Sequence, residues 1–260
     1  MPKFAANITT MYHEHPVAER MAAAADHGFT AVEFLYPYAY TINEVAAWLN
    51  TASVKLILIN TAPGDSKAGE VGLAALPGRE DDFRVSFNQA LSYASALNVP
   101  MVHVLAGRTL KKVTTSESTF IKNIRWAADL AVAQGINLLL EPLNTTDVPG
   151  YLYTDCDQTM KLIDSVNRPN VKIQFDFYHR QMMAGDLISE LAVNLENIGH
   201  IQFSSMPGRH EPQHGDVSVD SLFLYLDEIG YTGWIGCEYT PLTTTAAGLT
   251  WAAPYGIEPH

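Results

Sequence analysis

The feature that most constrains the fold is an eightfold alternation of short apolar runs and longer amphipathic stretches. The apolar runs begin at residues 4, 31, 56, 101, 136, 171, 200 and 234. Eight strand–helix units in 260 residues match the count and size of a (β/α)8 TIM barrel. An open doubly wound sheet is the main competitor, but the chain lacks the glycine-rich phosphate fingerprint after the first strand. The sequence therefore predicts an α/β fold with one TIM-barrel domain over residues 1–260.

Helical periodicity and glycine stops place the helices between these runs. A glycine- and proline-rich loop over residues 62–79 follows the third run. Helices are predicted over residues 16–27, 41–50, 80–97, 116–134, 155–166, 186–195 and 219–229, with one short helix near 246–251.

Composition excludes several classes of partner. The 28 acidic and 16 basic residues give a net charge of −12, which argues against general binding of nucleic acid. The two cysteines form no CxxC pair, so neither a zinc–thiolate site nor a disulfide framework is expected. The N-terminus lacks the apolar region of a secretory signal, and no run is long enough to span a bilayer. We therefore expect a soluble, cytoplasmic protein that does not bind membranes.

Polar residues stand at the ends of the last four apolar runs. Glu141 follows the run INLLL, Asp176 ends IQFD, Gln202 lies in HIQF, and Glu238 ends IGCE. In a TIM barrel the C-terminal strand ends converge on the active-site mouth. We therefore expect these four side chains to lie together.

Such a group of carboxylates points to a metal. A single carboxylate at a strand end more often caps a helix or pairs with a cation. Three together would repel one another, burial would raise their pKa values, and these strand ends contain no lysine or arginine. A divalent cation would neutralise them, and oxygen ligands suit Mg²⁺ or Mn²⁺ better than zinc.

Other residues are candidates for the same mouth. Equivalent positions on the first four runs hold Asn7, Glu33, Asn60 and His103. His103 is either a hydrogen-bonded core histidine or a substrate contact. His179 follows a predicted ligand by three residues, and Arg209 lies in the PGRH turn. Nearby polar residues of that turn are expected to be solvated, namely His210, Glu211 and His214.

This set of groups suits proton transfer between neighbouring carbons. A metal that holds an α-hydroxycarbonyl compound acidifies its C–H bond by stabilising an enediolate. A carboxylate can then remove the proton and return it at the adjacent carbon. Glu141 and Glu238 stand on strands three apart, so they could flank a substrate. Isomerisation and epimerisation both fit this pattern.

The segments LLLEPLN, IQFDFYH, GCEY, GLAALPGRE and PGRHEP resemble the hydroxypyruvate isomerase family. That family belongs to the xylose-isomerase-like barrels, which include tagatose and psicose 3-epimerases. The resemblance covers nearly the whole chain. It implies metal ligation by Glu141, Asp176, Gln202 and Glu238, with Glu141 and Glu238 exchanging the proton. It also places His179 and Arg209 near substrate oxygens.

The resemblance implies interconversion of hydroxypyruvate and tartronate semialdehyde, or isomerisation of the four-carbon homologue 2-oxotetronate. Many epimerase relatives carry histidine at the position of Gln202, so glutamine favours the isomerase branch. The substrate carboxylate needs a cation, with Arg209 preferred over Arg79 and Arg108. A homo-oligomer is expected by analogy. The alternatives are a ketose 3-epimerase, a phosphodiesterase like endonuclease IV, and a non-catalytic protein that binds sugar acids.

Overall fold

A computed structural model describes residues 1–109, 113–183, 185–216 and 219–259. Its eight strands pair in parallel, each with its neighbours in sequence, and β1 pairs with β8 to close the barrel. The predicted TIM barrel is thereby confirmed, while its extent as one domain over 1–260 stays a prediction. The strands are β1 (Lys3–Asn7), β2 (Ala31–Glu33), β3 (Lys55–Asn60), β4 (Met101–His103), β5 (Asn137–Leu140), β6 (Val171–Asp176), β7 (Ile198–Phe203) and β8 (Trp234–Cys237).

Helices follow the strands at nearly the predicted places. They are α1 (Val17–Asp26), α2 (Ile42–Ala52), α3 (Glu80–Ala96), α4 (Val113–Val132), α5 (Cys156–Val166), α6 (Phe177–Met182), α7 (Leu187–Asn194), α8 (Val219–Glu228) and α9 (Thr245–Gly248). A 3₁₀ helix, Leu249–Tyr255, continues α9. Among the described helices, none is long and apolar enough to cross a membrane.

Local signals explain where individual helices begin and end. Thr41 caps α2 in a capping box, because its hydroxyl accepts from the Glu44 amide and the Glu44 carboxylate accepts from the Thr41 amide. Gly28 follows α1 with φ +96°, and a Cβ there would lie 2.5 Å from the Gly256 carbonyl oxygen. Only glycine fits both the backbone conformation and this close approach.

One helix was not predicted. The first helix after the sixth apolar run was predicted at residues 186–195, but α6 starts at Phe177, directly after β6 ends at Asp176. The Asp176 carboxylate accepts from the Tyr178 amide at 3.0 Å, as an N-cap does. The prediction was wrong because Phe177 is apolar and buried in either conformation. This early turn carries His179 to the mouth.

The barrel interior is apolar at one end and polar at the other. Ala5, Ala31, Met101 and Leu139 belong to one buried apolar cluster. Side chains two residues apart on a strand point to the same face. Two residues further along the same strands, toward their C-terminal ends, stand Asn7, Glu33, His103 and Glu141. The polar layer therefore rests on an apolar floor.

Candidate functional site

The predicted carboxylates come together at the C-terminal strand ends. Glu141 directly follows β5, Asp176 ends β6, and Glu238 directly follows β8. Glu141 is 5% exposed and Asp176 1%, while the Glu238 side chain is 12% exposed. Possible ligand atoms of Glu141, Asp176 and His179 lie within 4.8 Å of one another. The site is thus a nearly dry group of acids.

Gln202 lies beside this group with its amide already oriented. It pairs in register with Asp176 of β6 and is fully buried. Its Nε2 donates to Glu33 Oε2 at 2.7 Å, and its Oε1 accepts from Gln174 Nε2 at 2.5 Å. The amide oxygen retains a second lone pair for another partner.

Arg209 supplies a cation that the strand ends alone did not reveal. Its Nη2 donates to Glu238 Oε2 at 2.9 Å and to Asp176 Oδ2 at 3.3 Å. The guanidinium also lies over the Tyr178 ring, 4.5 Å from its centroid. The strand ends themselves contain no lysine or arginine, as expected, and the cation comes from the loop after β7. The loop after β7 folds back, with Arg209 at φ +54° and its carbonyl accepting from the Thr240 amide.

His179 faces the carboxylates with a defined tautomer. Its Nδ1 accepts from the backbone amide of Asn144 at 3.2 Å, so the ring proton is assigned to Nε2. Nε2 lies 3.7 Å from Asp176 Oδ2 and 4.0 Å from Glu141 Oε1. Burial lowers the pKa of His179 to about 4, so the ring is neutral near pH 7. A neutral ring with Nε2–H is a hydrogen-bond donor toward the cleft.

His103 is buried without the hydrogen bonds of an ordinary core histidine. It is 1% exposed, and neither ring nitrogen has a hydrogen-bond partner among the described residues. Its Nδ1 lies 3.5 Å from Glu141 Oε2. Burial, with His200 nearby, lowers the pKa of His103 to about 3. Of the two interpretations, this geometry favours a contact with a bound molecule.

Asn60 and Glu33, the two other predicted substrate contacts, differ in whether their side-chain oxygens already have hydrogen-bond partners. Asn60 is 5% exposed, and its Oδ1 has no partner among the described residues, so it can receive a hydrogen bond. Glu33 has no exposed surface, and both of its oxygens are engaged by Asn7, His200 and Gln202. Glu33 lies beneath the site and supports it.

Several supporting residues were missed by the sequence interpretation. Asn144, Gln174 and His200 bond directly to His179, Gln202 and Glu33 respectively. Asn144 is the one with a local signal, because its Oδ1 accepts from the amides of Thr146 and Asp147 in a turn. Glu211, expected to be solvated, is 1% exposed and accepts from the Leu242 amide, so that expectation was wrong.

The raised pKa values of two glutamates show that Arg209 does not fully neutralise the acidic group. Burial, with the charges of Glu238 and Asp176, raises the pKa of Glu141 well above its ordinary value. Burial also raises the pKa of Glu238 to about 8, although Arg209 opposes that rise. Glu141 Oε1 is buried with no hydrogen-bond partner among the described residues. Three carboxylates and an amide oxygen fit Mg²⁺ or Mn²⁺.

Comparisons with known proteins cover the whole barrel. A profile of the xylose isomerase-like TIM-barrel family matches residues 21–255. A protein named 2-oxo-tetronate isomerase from Cupriavidus necator is 46% identical, over 98% of this chain and 99% of its own. A hydroxypyruvate isomerase from Escherichia coli is 40% identical, over 98% and 100%. A crystal structure described as AP endonuclease, family 2, from Brucella melitensis has a TM-score of 0.96 at 44% identity, over 98% and 99%.

Proposed function

The chain belongs to the xylose isomerase-like TIM-barrel family, and we propose that it is a metal-dependent isomerase of three- and four-carbon 2-oxo acids. The observation that carries this proposal is the buried arrangement of Glu141, Asp176, Gln202 and Glu238 in a chain 40–46% identical to isomerases of such acids. Hydroxypyruvate and 2-oxotetronate are the two candidate substrates. The 46% and 43% identity to proteins named 2-oxo-tetronate isomerase favours the four-carbon acid.

The proposed reaction moves one carbon-bound proton and one hydroxyl proton. In hydroxypyruvate, one of the two glutamates removes a proton from C3, and the C–H electron pair forms the C2–C3 double bond of an enediolate. As this bond forms, the π electron pair of the C2 carbonyl moves onto the C2 oxygen. The other glutamate then delivers a proton to C2, and the C3 hydroxyl proton passes to the C2 oxygen, so C3 becomes the aldehyde and C2 carries the hydroxyl. The product is tartronate semialdehyde, an isomer of the substrate, so no oxidant or reductant is needed.

The proposed metal would neutralise the charge of the buried carboxylates. Glu141, Asp176, Gln202 and Glu238 would hold Mg²⁺ or Mn²⁺, which supplies Lewis-acid stabilisation of negative charge on the substrate oxygens. His179 is assigned a different task, because its Nε2 carries the proton and can donate to a substrate oxygen. Its low pKa keeps this donor neutral near pH 7, so it does not compete with a cation for the carboxylates.

Arg209 remains the first candidate partner for the substrate carboxylate. Its Nη2 holds two site carboxylates, and its Nε and Nη1 donors make no hydrogen bond to any described residue, so they are available to a substrate. Arg79 is bonded to Glu70 and Asp82, two acids of the neighbouring loop and helix. Arg108 donates to the Gly69 carbonyl oxygen at 3.3 Å and is the second candidate.

A substrate panel tests the proposal. Hydroxypyruvate, 2-oxotetronate, D-fructose and D-tagatose are followed by NMR with Mg²⁺, with Mn²⁺ and after exhaustive chelation. We expect turnover of the 2-oxo acids, at least 100-fold slower turnover of the ketoses, and recovery when metal is returned. Full turnover after chelation would contradict the metal requirement, and a preference for ketoses would favour the epimerase alternative. Cleavage of abasic-site DNA, assayed in parallel, would support the phosphodiesterase.

A further inference from the structure

A buried polar layer beneath the predicted ligands is organised around Glu33. Its Oε1 lies 2.5 Å from His200 Nε2, and its Oε2 accepts from Asn7 Nδ2 at 3.0 Å and from Gln202 Nε2 at 2.7 Å. Glu33, His200 and Gln202 have no exposed surface. A substrate therefore cannot reach Glu33, and a role for it must act through its neighbours.

The orientation of the neighbouring amides follows from one backbone contact. Asn7 Oδ1 accepts from the Thr9 amide at 3.0 Å, so the Asn7 side chain must turn its Nδ2 toward Glu33. Glu33 Oε2 is then an acceptor, and it selects the NH₂ end of Gln202. The Gln202 oxygen is consequently turned away from Glu33, toward Gln174. Reversing this amide would place two oxygens 2.7 Å apart in a dry interior.

Strand β8, which pairs with β7 and β1, leaves room inside the barrel for the Glu33 carboxylate. A Cβ at Gly236 of β8 would lie 1.9 Å from Glu33 Oε1 and 2.9 Å from Gln202 Cγ. No other amino acid fits there without moving Glu33. Asn7 extends the same network toward the mouth of the barrel, because its Nδ2 also lies 3.4 Å from Glu238 Oε1. Glu33 is therefore bonded directly to Gln202 and joined through Asn7 to Glu238.

We propose that Glu33 is a positioning residue that holds the Gln202 amide with its oxygen toward a divalent cation. This inference rests on the metal site of the proposed function. A glutamine ligates a hard cation through its oxygen alone, so a reversed amide presents NH₂ and loses the ligand. Partners that orient metal ligands in this way typically change metal affinity by about 10–100-fold.

Binding of Mn²⁺, measured by electron paramagnetic resonance of the free ion and by calorimetry, tests this without any activity assay. Glu33→Met keeps the side-chain length and removes both acceptors, and we expect at least a tenfold loss of Mn²⁺ affinity. Glu33→Met with Gln202→Glu should regain most of it, since a carboxylate presents oxygen in either orientation. The double variant also keeps the net charge. A purely structural role for Glu33 would not give this recovery.

Controls distinguish a failure of the Glu33 proposal from a failure of the metal site and from a simple loss of stability. Asn170→Leu removes a buried amide bonded to the Ala128 and Ile136 carbonyl oxygens at the opposite end of the barrel, and should lower stability with unchanged Mn²⁺ affinity. Wild-type affinity in Glu33→Met, or no recovery in the double variant, overturns the role of Glu33 alone. Absence of Mn²⁺ binding by the wild type overturns the metal site as well.

If Glu33→Met does not fold, the melting temperatures of two other variants test the same contact between Glu33 and Gln202. Gln202→Glu alone sets two carboxylates against each other and should lower the melting temperature. Adding Glu33→Gln exchanges donor and acceptor and should restore it. A double variant no more stable than Gln202→Glu would also overturn the proposal.

Discussion

The positive charge of Arg209 has opposite expected effects on a bound cation and on an anionic substrate. Its Nη2 lies within 3.3 Å of an oxygen of both Asp176 and Glu238, so its charge offsets part of the charge a bound cation would neutralise. The same charge would attract an anionic substrate into a chain whose net charge is −12. We therefore expect this one side chain to weaken metal binding and to favour 2-oxo acids over neutral sugars.

Replacing Arg209 should separate these two effects. In Arg209→Gln we expect Mn²⁺ affinity to rise at least about fivefold, because a positive charge a few ångströms from the ligands costs about 1–4 kcal/mol. We expect KM for hydroxypyruvate or 2-oxotetronate to rise at least tenfold. Arg168→Gln is the matched control, since Arg168 pairs with exposed Asp129 on the outer helices. Weaker Mn²⁺ binding with unchanged KM would contradict this account.

The buried glutamates should make the metal-free protein less stable as pH rises. Burial raises the pKa of Glu238 to about 8 and that of Glu141 well above its ordinary value. Between pH 6.5 and 8 both are ionised in the unfolded chain, while the folded chain still holds protons on these carboxyls, so folding becomes less favourable as pH rises. His103 and His179 oppose this trend only weakly above pH 6.5: their lowered pKa values leave them neutral when folded, and in the unfolded chain they lose their remaining protons just above that pH.

Chemical unfolding in EDTA at pH 6.5 and pH 8 measures that trend. The expected loss is on the order of 1–2 kcal/mol per buried carboxyl, because each pH unit contributes up to about 1.4 kcal/mol per proton. Glu238→Gln should reduce the loss, and Glu196→Gln on the exposed surface should not. Stability that is constant or rising with pH in metal-free wild type would contradict the raised pKa values.

At the scale of strands and helices, the sequence contains most of the architecture. Apolar runs and glycine stops located the strands and the helix ends, and the position of Glu141, Asp176, Gln202 and Glu238 at the ends of their runs was enough to predict that they share one mouth. The conformation of the loop after β7 could not be predicted from the sequence, because it depends on long-range contacts such as that of Arg209 with Thr240. The Glu33 network likewise joins residues 26–169 positions apart.

Gly236 tests how tightly β8 must fit this network. In Gly236→Ala the new methyl group would overlap Glu33 Oε1, and we expect about 1–3 kcal/mol of destabilisation together with weaker Mn²⁺ binding. Gly135→Ala is the control, since its Cβ would meet nothing within 4 Å but its φ of +70° is strained for alanine. That control should lose stability and keep Mn²⁺ affinity. Equal Mn²⁺ affinity in Gly236→Ala would show that the layer tolerates displacement.

For the whole molecule, the barrel brings distant residues to one dry, acidic mouth over an apolar floor. Such a site cannot hold its carboxylates ionised without added positive charge, which Arg209 supplies only in part. We propose that a bound cation completes the balance and that the glutamates then carry protons between adjacent carbons. Assembly into a homo-oligomer stays a prediction.

Exchange of carbon-bound hydrogen with solvent tests the central claim most directly. Hydroxypyruvate and 2-oxotetronate are incubated in D₂O with Mn²⁺-loaded protein at catalytic concentration, then quenched, freed of metal and examined by proton NMR. The account predicts deuterium at the carbons next to the carbonyl well above the buffer rate, and at least a 100-fold slower exchange in Glu141→Gln and in Glu238→Gln. No exchange by the wild type, or undiminished exchange in both variants, would contradict proton transfer by these two glutamates.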